Sequence, residues 1–216
     1  MLIGFSPWGN STNIAPFDAV FDESESIIHS HIKNYNAIVL WGGTDIDPAF
    51  YKQARHPYNG ASRERSERDT FEWKAVKLAV KHGIPIIGVC RGAQLLTAFA
   101  GGKLIQHCDG HHTSHDMITN EGSIIKTTSS HHQMMVPDKT EHELIAWSCS
   151  RYYGQYEDDK GKVNMDNEVE AEIVYYPKIK GLAIQGHPEW AVGSVFANYC
   201  NRLVKEYLFR KQALNY

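Results

Sequence analysis

Residues 84–96, IPIIGVCRGAQLL, place an apolar run directly before a turn that contains Gly88, Cys90 and Gly92. The run at residues 84–89 is continuously apolar, which is typical of a strand buried on both faces of a sheet. The residues that follow have the apolar spacing of a helix. A Gly-x-Cys-x-Gly turn between a strand and a helix predicts a nucleophile elbow, a sharp turn that exposes a reactive side chain.

The predicted turn gives Cys90 a suitable environment for nucleophilic chemistry. At the N-terminus of a helix, the helix dipole and free N–H groups favour the thiolate form of a cysteine. The backbone N–H of Arg91 would face the same point and could donate to a developing oxyanion. The alternative is a buried structural cysteine between two glycines that serve only packing.

Other segments of the chain repeat the alternation of strand and helix. Three more short apolar runs predict buried strands: LIGF (2–5), AIVLW (37–41) and GLAIQG (181–186). Helical patterns cover residues 66–82, residues 91–100 and residues 193 to about 212. This order predicts an α/β fold with a mainly parallel central sheet flanked by helices. Residues 123–176 are more strand-like and would add antiparallel edge strands, with an acidic, solvent-exposed hairpin or loop at residues 153–172.

The end of the last apolar run supplies a candidate general base, in the segment GLAIQGHPEW. Pro188 disfavours a helical conformation at His187, so an extended segment would place Glu189 on the same side as the imidazole. The carboxylate could then hold the tautomer of the ring. The alternative is a surface histidine in a proline turn, since the chain has 12 histidines.

Two further positions would adjoin Cys90. Gly42 and Gly43 follow the strand at 37–41 and could bring a second N–H group to the oxyanion, or could form a plain turn. Gln94 lies one helical turn after Cys90 and on the same face, so its amide could bind substrate or be a surface group.

Two histidine clusters complete the set of candidates. Residues 129–133, SSHHQ, follow a strand-like run and could line the cleft. Residues 107–115, HCDGHHTSH, contain ligand types that suit zinc. Their crowded spacing matches no standard zinc pattern, so we expect a polar loop beside the active site and no metal.

Composition limits the remaining function classes. The 216 residues are 42% hydrophobic, which suits one domain over residues 1–216, and we find no internal repeat or linker. The net charge of −3 gives no reason to expect nucleic acid or an anionic membrane surface as a partner. Four cysteines do not form a disulfide scaffold, and the N-terminus has no secretory pattern, so a cytoplasmic protein is expected.

The three motifs together resemble the class I glutamine amidotransferase superfamily, whose fold is flavodoxin-like and whose triad is Cys, His and Glu in chain order. WGGTDIDPAFY, the segment ERDTFEWKAVKLAVKHGIPIIGVCRGAQLLTAFAGGKLIQH, and SSHHQ are similar to its γ-glutamyl hydrolase branch, which includes γ-glutamyl-γ-aminobutyrate hydrolases. The resemblance implies no cofactor and no metal. It also implies Cys90 as the nucleophile, His187 as the base and Glu189 as the carboxylate that orients the base. The implied oxyanion donors are Gly43 and Arg91. The implied site for the glutamyl group consists of Gln94, Ser130, His131, His132 and Gln133.

The resemblance weakens at the N-terminus, where only about thirty residues separate GFSP from NAIVLW. One βα unit is expected to be shortened or lost, which would admit a larger leaving group or a partner protein.

The expected activity is hydrolysis of a small γ-glutamyl conjugate through a thioester on Cys90, with release of glutamate and an amine. One alternative is a glutaminase that delivers ammonia to a separate synthase. Others are an inactive binding or regulatory relative, and a chaperone or protease of a related strand-Cys-helix fold. All three triad residues are present, which disfavours the inactive relative. The sequence leaves the amine and the oligomeric state open.

Overall fold

The computed structural model describes residues 1–9, 13–64, 66–149, 156–165 and 169–210. The α-helices are α1 Glu67–His82, α2 Arg91–Ala100 and α3 Val195–Leu203, and Val204–Arg210 continues α3 as a π-helical segment. The strands are β1 Leu2–Phe5, β2 Glu23–Ser26, β3 Ala37–Leu40, β4 Ile86–Val89, β5 Lys103–Ile105, β6 His107–Cys108, β7 His115–Thr119, β8 Ile124–Thr127, β9 Met134–Val136, β10 Glu143–Ser148, β11 Tyr156–Asp158, β12 Gly161–Lys162, β13 Ala171–Tyr176 and β14 Gly181–Ile184.

The central sheet has the strand order β2-β1-β3-β4-β14-β13-β10-β7-β8. Its first five strands are parallel, and β13, β10, β7 and β8 extend it as antiparallel strands. Strand β9 also pairs with β13 and with β5. The predicted α/β fold, with a parallel centre and antiparallel strands from the middle of the chain, is confirmed.

The register of the central strands brings the predicted functional segments to one edge. Leu40 of β3 pairs with Gly88 of β4, and Ile184 of β14 pairs with Val89. The residues after β3, β4 and β14 therefore leave the sheet side by side, at the carboxyl edge where α/β folds place ligands.

Helices cover both faces of this sheet. Helices α1 and α2 bury apolar side chains against one face, and α3 with its π-helical continuation covers the other. Ser66 caps α1 by accepting a hydrogen bond from the Asp69 N–H at 3.0 Å, and Gly83 ends the helix at a positive φ of 69°. The predicted bounds of α1 and α2 are confirmed. The terminal helix was predicted to about residue 212, and residues 211–212 lie outside the described part of the chain.

The N-terminal region keeps a strand between β1 and β3 in the chain. Strand β2 pairs in parallel with the outer side of β1. The described connections between β1 and β3 contain 3-10 turns at Phe17–Ala19 and His29–Asn34. The predicted shortening of this region relative to the family stays a prediction.

The acidic stretch at residues 153–172 forms the predicted hairpin in its described part. Strand β11 pairs with β12 and also with β6, which makes a separate three-stranded sheet. Residues 153–155 and 166–168 of this prediction lie outside the described residues, and residues 171–172 belong to β13. The expected solvent exposure is wrong for Met165 and for residues 170–172, which are buried. Among the described helices, none combines the length and the apolar character needed to cross a bilayer.

Candidate active site

Cys90 occupies a strained turn that is sterically possible only because small residues flank it. Its backbone has φ 51° and ψ −107°, a conformation that side-chain-bearing residues rarely adopt. A Cβ on Gly88 would lie 2.5 Å from the carbonyl oxygen of Gly92, and a Cβ on Gly92 would collide with the carbonyl of Leu40. The N–H of Cys90 donates to Ile184 O at 2.8 Å, which ties the turn to β14. The glycines on both sides are therefore steric requirements of the turn.

His187 lies against this turn with its ring held on several sides. Its Nδ1 is 2.8 Å from Glu189 Oε1, and the ring also hydrogen-bonds the Cys90 thiol. The backbone N–H of His187 donates to Thr128 O at 2.8 Å. The indole of Trp190 stacks on the imidazole with ring centroids 3.8 Å apart and planes 3° from parallel. The structure thus brings Cys90, His187 and Glu189 into one hydrogen-bonded series.

The expected extended conformation at this segment is wrong, although the contact itself forms. Pro188–Ala191 is a 3-10 turn, and His187 before it has φ −111° and ψ 81°. The turn curls Glu189 back toward the ring, whereas an extended strand would have brought it there by alternation. The proline fits the first position of this turn because its φ is already fixed near the helical value.

Two opposing effects set the protonation of His187. Burial disfavours the charged ring and lowers its pKa, but hydrogen bonds and charges from Cys90 and Glu189 outweigh burial and raise the pKa of His187 to about 9. At neutral pH the ring is therefore an imidazolium next to the thiol. Such a pair can deliver a thiolate nucleophile and a proton for a leaving group.

The loop after β3 packs directly on the Cys90–His187 pair. A Cβ on Gly42 would lie 2.7 Å from His187 Cε1 and 3.4 Å from Cys90 Cβ. Gly43 has φ 136°, and a Cβ there would collide with the Arg68 guanidinium. Arg68 donates to the carbonyl of Gly42 at 3.0 Å and to that of Trp41 at 2.7 Å. Only glycines fit between the reactive pair and this arginine.

Sequence analysis missed a buried ionic network behind the loop. Arg91, predicted for its N–H, has a side chain that forms ion pairs with Asp69 and Glu72 and donates to Thr44 O at 2.8 Å. Glu72 also accepts from Arg68 at 3.0 Å. The sequence feature that could have predicted this network is ERDTFE at the start of α1. Residues 69 and 72 are spaced i, i+3 there, so both lie on the same, buried face of the helix.

The predicted glutamyl-binding side chains divide into buried and accessible groups. Gln94 and Gln133 are buried, and the Gln94 amide donates to Gln133 O at 3.2 Å. His131 is also buried, with Nδ1 bonded to the same carbonyl at 2.9 Å. Ser130 is exposed, and His132 is partly exposed with Nε2 3.0 Å from Asp45. Of these five side chains, only those of residues 130 and 132 reach solvent, so the segment lines the cleft less than expected.

The segment at residues 107–115 is also less uniform than the predicted polar loop. His112 is exposed, whereas His111 and His115 are buried and contact the carboxylate of Glu172 on β13. Residues 107–108 belong to β6, and residue 115 begins β7.

A parallel α/β sheet with a strained strand–Cys–helix turn, and with His and Glu after the adjacent strand, defines a class I glutamine amidotransferase-like protein. The model of one family within this class, peptidase C26, matches residues 13–189, so the chain belongs to the peptidase C26 family of hydrolase and amidotransferase enzymes.

Several curated proteins are similar to this chain. A Mycobacterium tuberculosis protein named provisionally as a glutamine amidotransferase is 35% identical over 48% of this chain and 32% of its own length. A protein of Lactococcus lactis subsp. cremoris, named provisionally as glutamine amidotransferase-like, is 37% identical over 47% of this chain and 50% of its own. The matches to these two relatives therefore cover half of their length or less. The γ-glutamyl-CDP-amidate hydrolase of Campylobacter jejuni is 27% identical over 68% of this chain and 59% of its own.

Solved structures show the same fold. The structure of PurLQS from Thermotoga maritima matches with a TM-score of 0.62 and 16% identity, covering 98% of both chains. A glutamine amidotransferase from Thermotoga maritima matches with a TM-score of 0.56 and 14% identity, covering 98% of this chain and 84% of that one.

Proposed function

We propose that the protein is a γ-glutamyl amide hydrolase in which Cys90 is the nucleophile, His187 the acid–base group and Glu189 the residue that orients His187. One observation carries the proposal: the Cys90 thiol, at a strained turn between strand and helix, hydrogen-bonds an imidazole whose Nδ1 is held by a carboxylate 2.8 Å away. This arrangement has the parts of a thiol-based acyl transfer enzyme.

The reaction begins with attack of the Cys90 thiolate on the side-chain carbonyl carbon of a γ-glutamyl amide. The N–H groups of Gly43 and Arg91 donate to the resulting oxyanion, and one such donor contributes about 3–4 kcal/mol in well-studied enzymes. As the C–N bond breaks, His187 transfers its proton to the nitrogen, and a γ-glutamyl thioester remains. Neutral His187 then takes a proton from water, which attacks the thioester, releases glutamate and restores the thiolate–imidazolium pair.

The glutamyl group is proposed to lie beside the segment of residues 130–133 and the start of α2. Ser130 and His132 reach solvent there and are available to the amino-acid end of a substrate. Gln94, His131 and Gln133 act from behind, since their hydrogen bonds hold the backbone of the segment in place. We also propose that residues 1–216 form a single domain and act in the cytoplasm without an organic cofactor.

The γ-glutamyl class has support from the Campylobacter jejuni relative, which is named as a hydrolase of a γ-glutamyl amidate. A second candidate is a glutaminase that supplies ammonia to a separate synthase. It is favoured by the names of several relatives, including the carbamoyl phosphate synthase small chain of Pseudomonas syringae pv. tomato, 32% identical over 31% of this chain and 18% of its own.

The test of the nucleophile uses a diazo-ketone analogue of glutamine and intact-protein mass spectrometry. The unsubstituted chain should gain one adduct, located by peptide mapping on Cys90. Cys90→Ser should gain none, and Cys149→Ser is the matched control because Cys149 is exposed and lies outside the site. Labelling that persists in Cys90→Ser, or that maps to Cys149, contradicts the assignment.

The substrate class is tested by measuring glutamate release from glutamine, γ-glutamyl peptides, γ-glutamyl polyamines and γ-glutamyl nucleotides. We expect rapid cleavage of at least one conjugate by the isolated chain and no release of aspartate from asparagine. Slow turnover of every conjugate, with glutamine cleavage that rises only when a synthase is added, would favour the glutaminase.

A further inference from the structure

A group of buried histidine and glutamate side chains lies behind the proposed active site and takes no part in the proposed reaction. His111 comes from the segment between β6 and β7, His115 from the start of β7, Glu172 from β13, and His131 from the segment before β9. All four residues are 3% exposed or less. Three imidazole nitrogens face one carboxylate oxygen, Oε1 of Glu172: His115 Nε2 at 2.8 Å, His111 Nδ1 at 3.8 Å and His131 Nε2 at 3.9 Å.

We propose that these four side chains form a structural site for a divalent transition-metal ion of the zinc type. Imidazole nitrogen and carboxylate oxygen are zinc ligands, and a closed set of four protein ligands is typical of structural sites. The site shares His131 with the proposed glutamyl-binding segment, but it takes no part in the proposed bond cleavage.

The ligand atoms of His111, His115 and Glu172 have a spacing that approaches what zinc requires, whereas His131 lies outside that group and must move closer to complete the set. Metal–ligand bonds of about 2.0–2.2 Å in a tetrahedron place neighbouring ligand atoms about 3.4 Å apart. The two separations of 3.8 and 3.9 Å need to shorten by a few tenths of an ångström, and the hydrogen bond at 2.8 Å needs to lengthen by a similar amount. The ligand atoms of His111, His115 and Glu172 all lie within 4.8 Å of one another.

Hydrogen bonds at Nδ1 orient the rings of His115 and His131 so that Nε2 of each ring faces the Glu172 carboxylate. Nδ1 of His115 is 3.1 Å from Thr113 O, and Nδ1 of His131 is 2.9 Å from Gln133 O. A carbonyl accepts a hydrogen bond, so each Nδ1 carries a proton. Nε2 of His131 is left with a lone pair, whereas Nε2 of His115 donates to Glu172 and would release its proton when a metal ion binds. Metal-bound histidines are oriented in this way by groups outside the ligand shell.

His111 is oriented by a second carboxylate. Its Nε2 is 3.2 Å from Glu170 Oε2, which leaves Nδ1 directed toward Glu172. A carboxylate that holds the far nitrogen of a metal-bound histidine is a recurrent feature of zinc sites.

Two buried atoms of the cluster point independently to a missing partner. His131 Nε2 and Glu172 Oε2 are inaccessible to solvent and have no hydrogen-bond partner among the described residues. Such atoms carry a substantial desolvation cost unless something binds them. Glu170 and Glu172 are 4% and 1% exposed, and a divalent cation would balance their two buried negative charges.

Sequence analysis expected no metal because the spacing within residues 107–115 fits no zinc pattern. The structure uses only two histidines of that segment and adds ligands about 16 and 57 residues further along the chain from His115. Spacing within one segment therefore could not show the site.

The test is metal binding by the full chain, freed of metal with a chelator and titrated with Co²⁺ as a spectroscopic probe for zinc. Because Cys90 and His187 are themselves possible ligands, the titration is done in parallel on Cys90→Ala. We expect one Co²⁺ per chain with the visible absorption of tetrahedral cobalt in both proteins, displaced by one equivalent of Zn²⁺. Absence of that absorption, or its loss in Cys90→Ala, overturns the proposal.

The ligands are identified by comparing substitutions inside and outside the proposed ligand set. His115→Ala and His131→Ala should weaken Zn²⁺ binding by at least about 100-fold, and Glu170→Gln, outside the ligand shell, by about 10- to 100-fold. His112→Ala is the matched control, since this exposed neighbour should leave binding unchanged. Equal binding by all four variants overturns the assignment.

A variant that fails to fold does not weaken the test, because unfolding of the unsubstituted chain gives a separate measurement. Binding to the folded state alone raises the unfolding midpoint in proportion to the logarithm of metal concentration. We expect Zn²⁺ to raise the midpoint of the metal-free chain and of Cys90→Ala alike. A midpoint that Zn²⁺ leaves unchanged or lowers contradicts the site.

Discussion

Glu189 Oε1 lies 2.8 Å from Nδ1 of His187, although only Pro188 separates the two residues in the chain. A local turn therefore sets this contact, whereas the third member of the series, Cys90, arrives from a different strand end. Because Nδ1 is engaged by the carboxylate, Nε2 is the nitrogen left for the thiol. The turn thus selects both the tautomer and the direction in which His187 can transfer a proton.

The first prediction concerns Glu189→Gln and the dependence of activity on pH. Burial lowers the pKa of His187, but Cys90 and Glu189 together raise it to about 9. The nearby His131 is uncharged in this range because burial holds its pKa well below the ordinary histidine value. Activity that needs the imidazolium should be lost as pH rises through about 9. Glutamine at residue 189 removes one raising effect, so the alkaline decline should move to lower pH, and kcat/KM should fall by about 10²-fold or more.

The measurement is kcat/KM against pH for the γ-glutamyl amide with the fastest glutamate release. Glu121→Gln, on the surface, is the control and should keep the profile of the unsubstituted chain. An unchanged alkaline limb in Glu189→Gln would mean that this limb belongs to another group.

The second prediction is that Cys90→Ala lowers the pKa of His187. The hydrogen bond and charge of Cys90 both support the protonated ring, and burial of the ring remains after their removal. The pKa is measured by NMR titration of histidine ring carbons, with His187→Gln used to assign the signal. A pKa that stays near 9 in Cys90→Ala contradicts the ion-pair description.

The sequence predicted the elements of this site better than their side-chain contacts. Gly88, Gly92 and the apolar run before them were sufficient for the elbow, because steric demands of such a turn are local and leave a short pattern. His187 and Glu189 were predicted through an extended strand, and the observed contact comes from a 3-10 turn. Proline is compatible with both conformations, so the residues alone could not separate them.

The contacts that sequence analysis missed join distant segments. Arg91 was noted for its backbone N–H, but its partners Asp69 and Glu72 lie about twenty residues earlier on α1. Glu172 likewise meets His115 across more than fifty residues. Pairings of this kind depend on how helices pack on the sheet, and no periodicity within one segment reports them.

The third prediction is that Gly43→Ala loses activity because its side chain would displace Arg68. Gly43 has φ 136°, and an added Cβ would collide with the Arg68 guanidinium, which holds the carbonyls of Trp41 and Gly42. Movement of the loop would misplace the proposed oxyanion donor, so kcat/KM should fall by about 10²–10³-fold.

Gly122→Ala is the matched control for backbone strain. Gly122 has φ 82°, and an added Cβ there meets no atom within 4 Å. We expect a loss of about 1–2 kcal/mol in the free energy of unfolding and no change in kcat/KM. If both variants lose activity equally, backbone strain and not the contact with Arg68 is responsible.

The fourth prediction is that Glu72→Gln strongly destabilises the fold. Glu72 is fully buried and forms ion pairs with Arg68, which is partly exposed, and with Arg91, which is buried. Glutamine would leave both guanidinium groups with Asp69 as the one remaining carboxylate of the network described above. Removing one partner from a buried ionic group costs about 3–5 kcal/mol, because the charge left behind is desolvated and unbalanced. Urea unfolding followed by far-UV circular dichroism gives the free energy of unfolding.

Glu121→Gln makes the same chemical change at an exposed ion pair and separates burial from charge. Glu121 contacts Arg202 at 2.7 Å, with side chains 52% and 42% exposed respectively. Water already solvates both groups there, so the loss should be at most about 1 kcal/mol. A difference of at least about 2 kcal/mol between the two variants is therefore expected from burial alone. Equal losses would show that the network behind the Gly42–Gly43 loop is solvated and does not hold that loop in place.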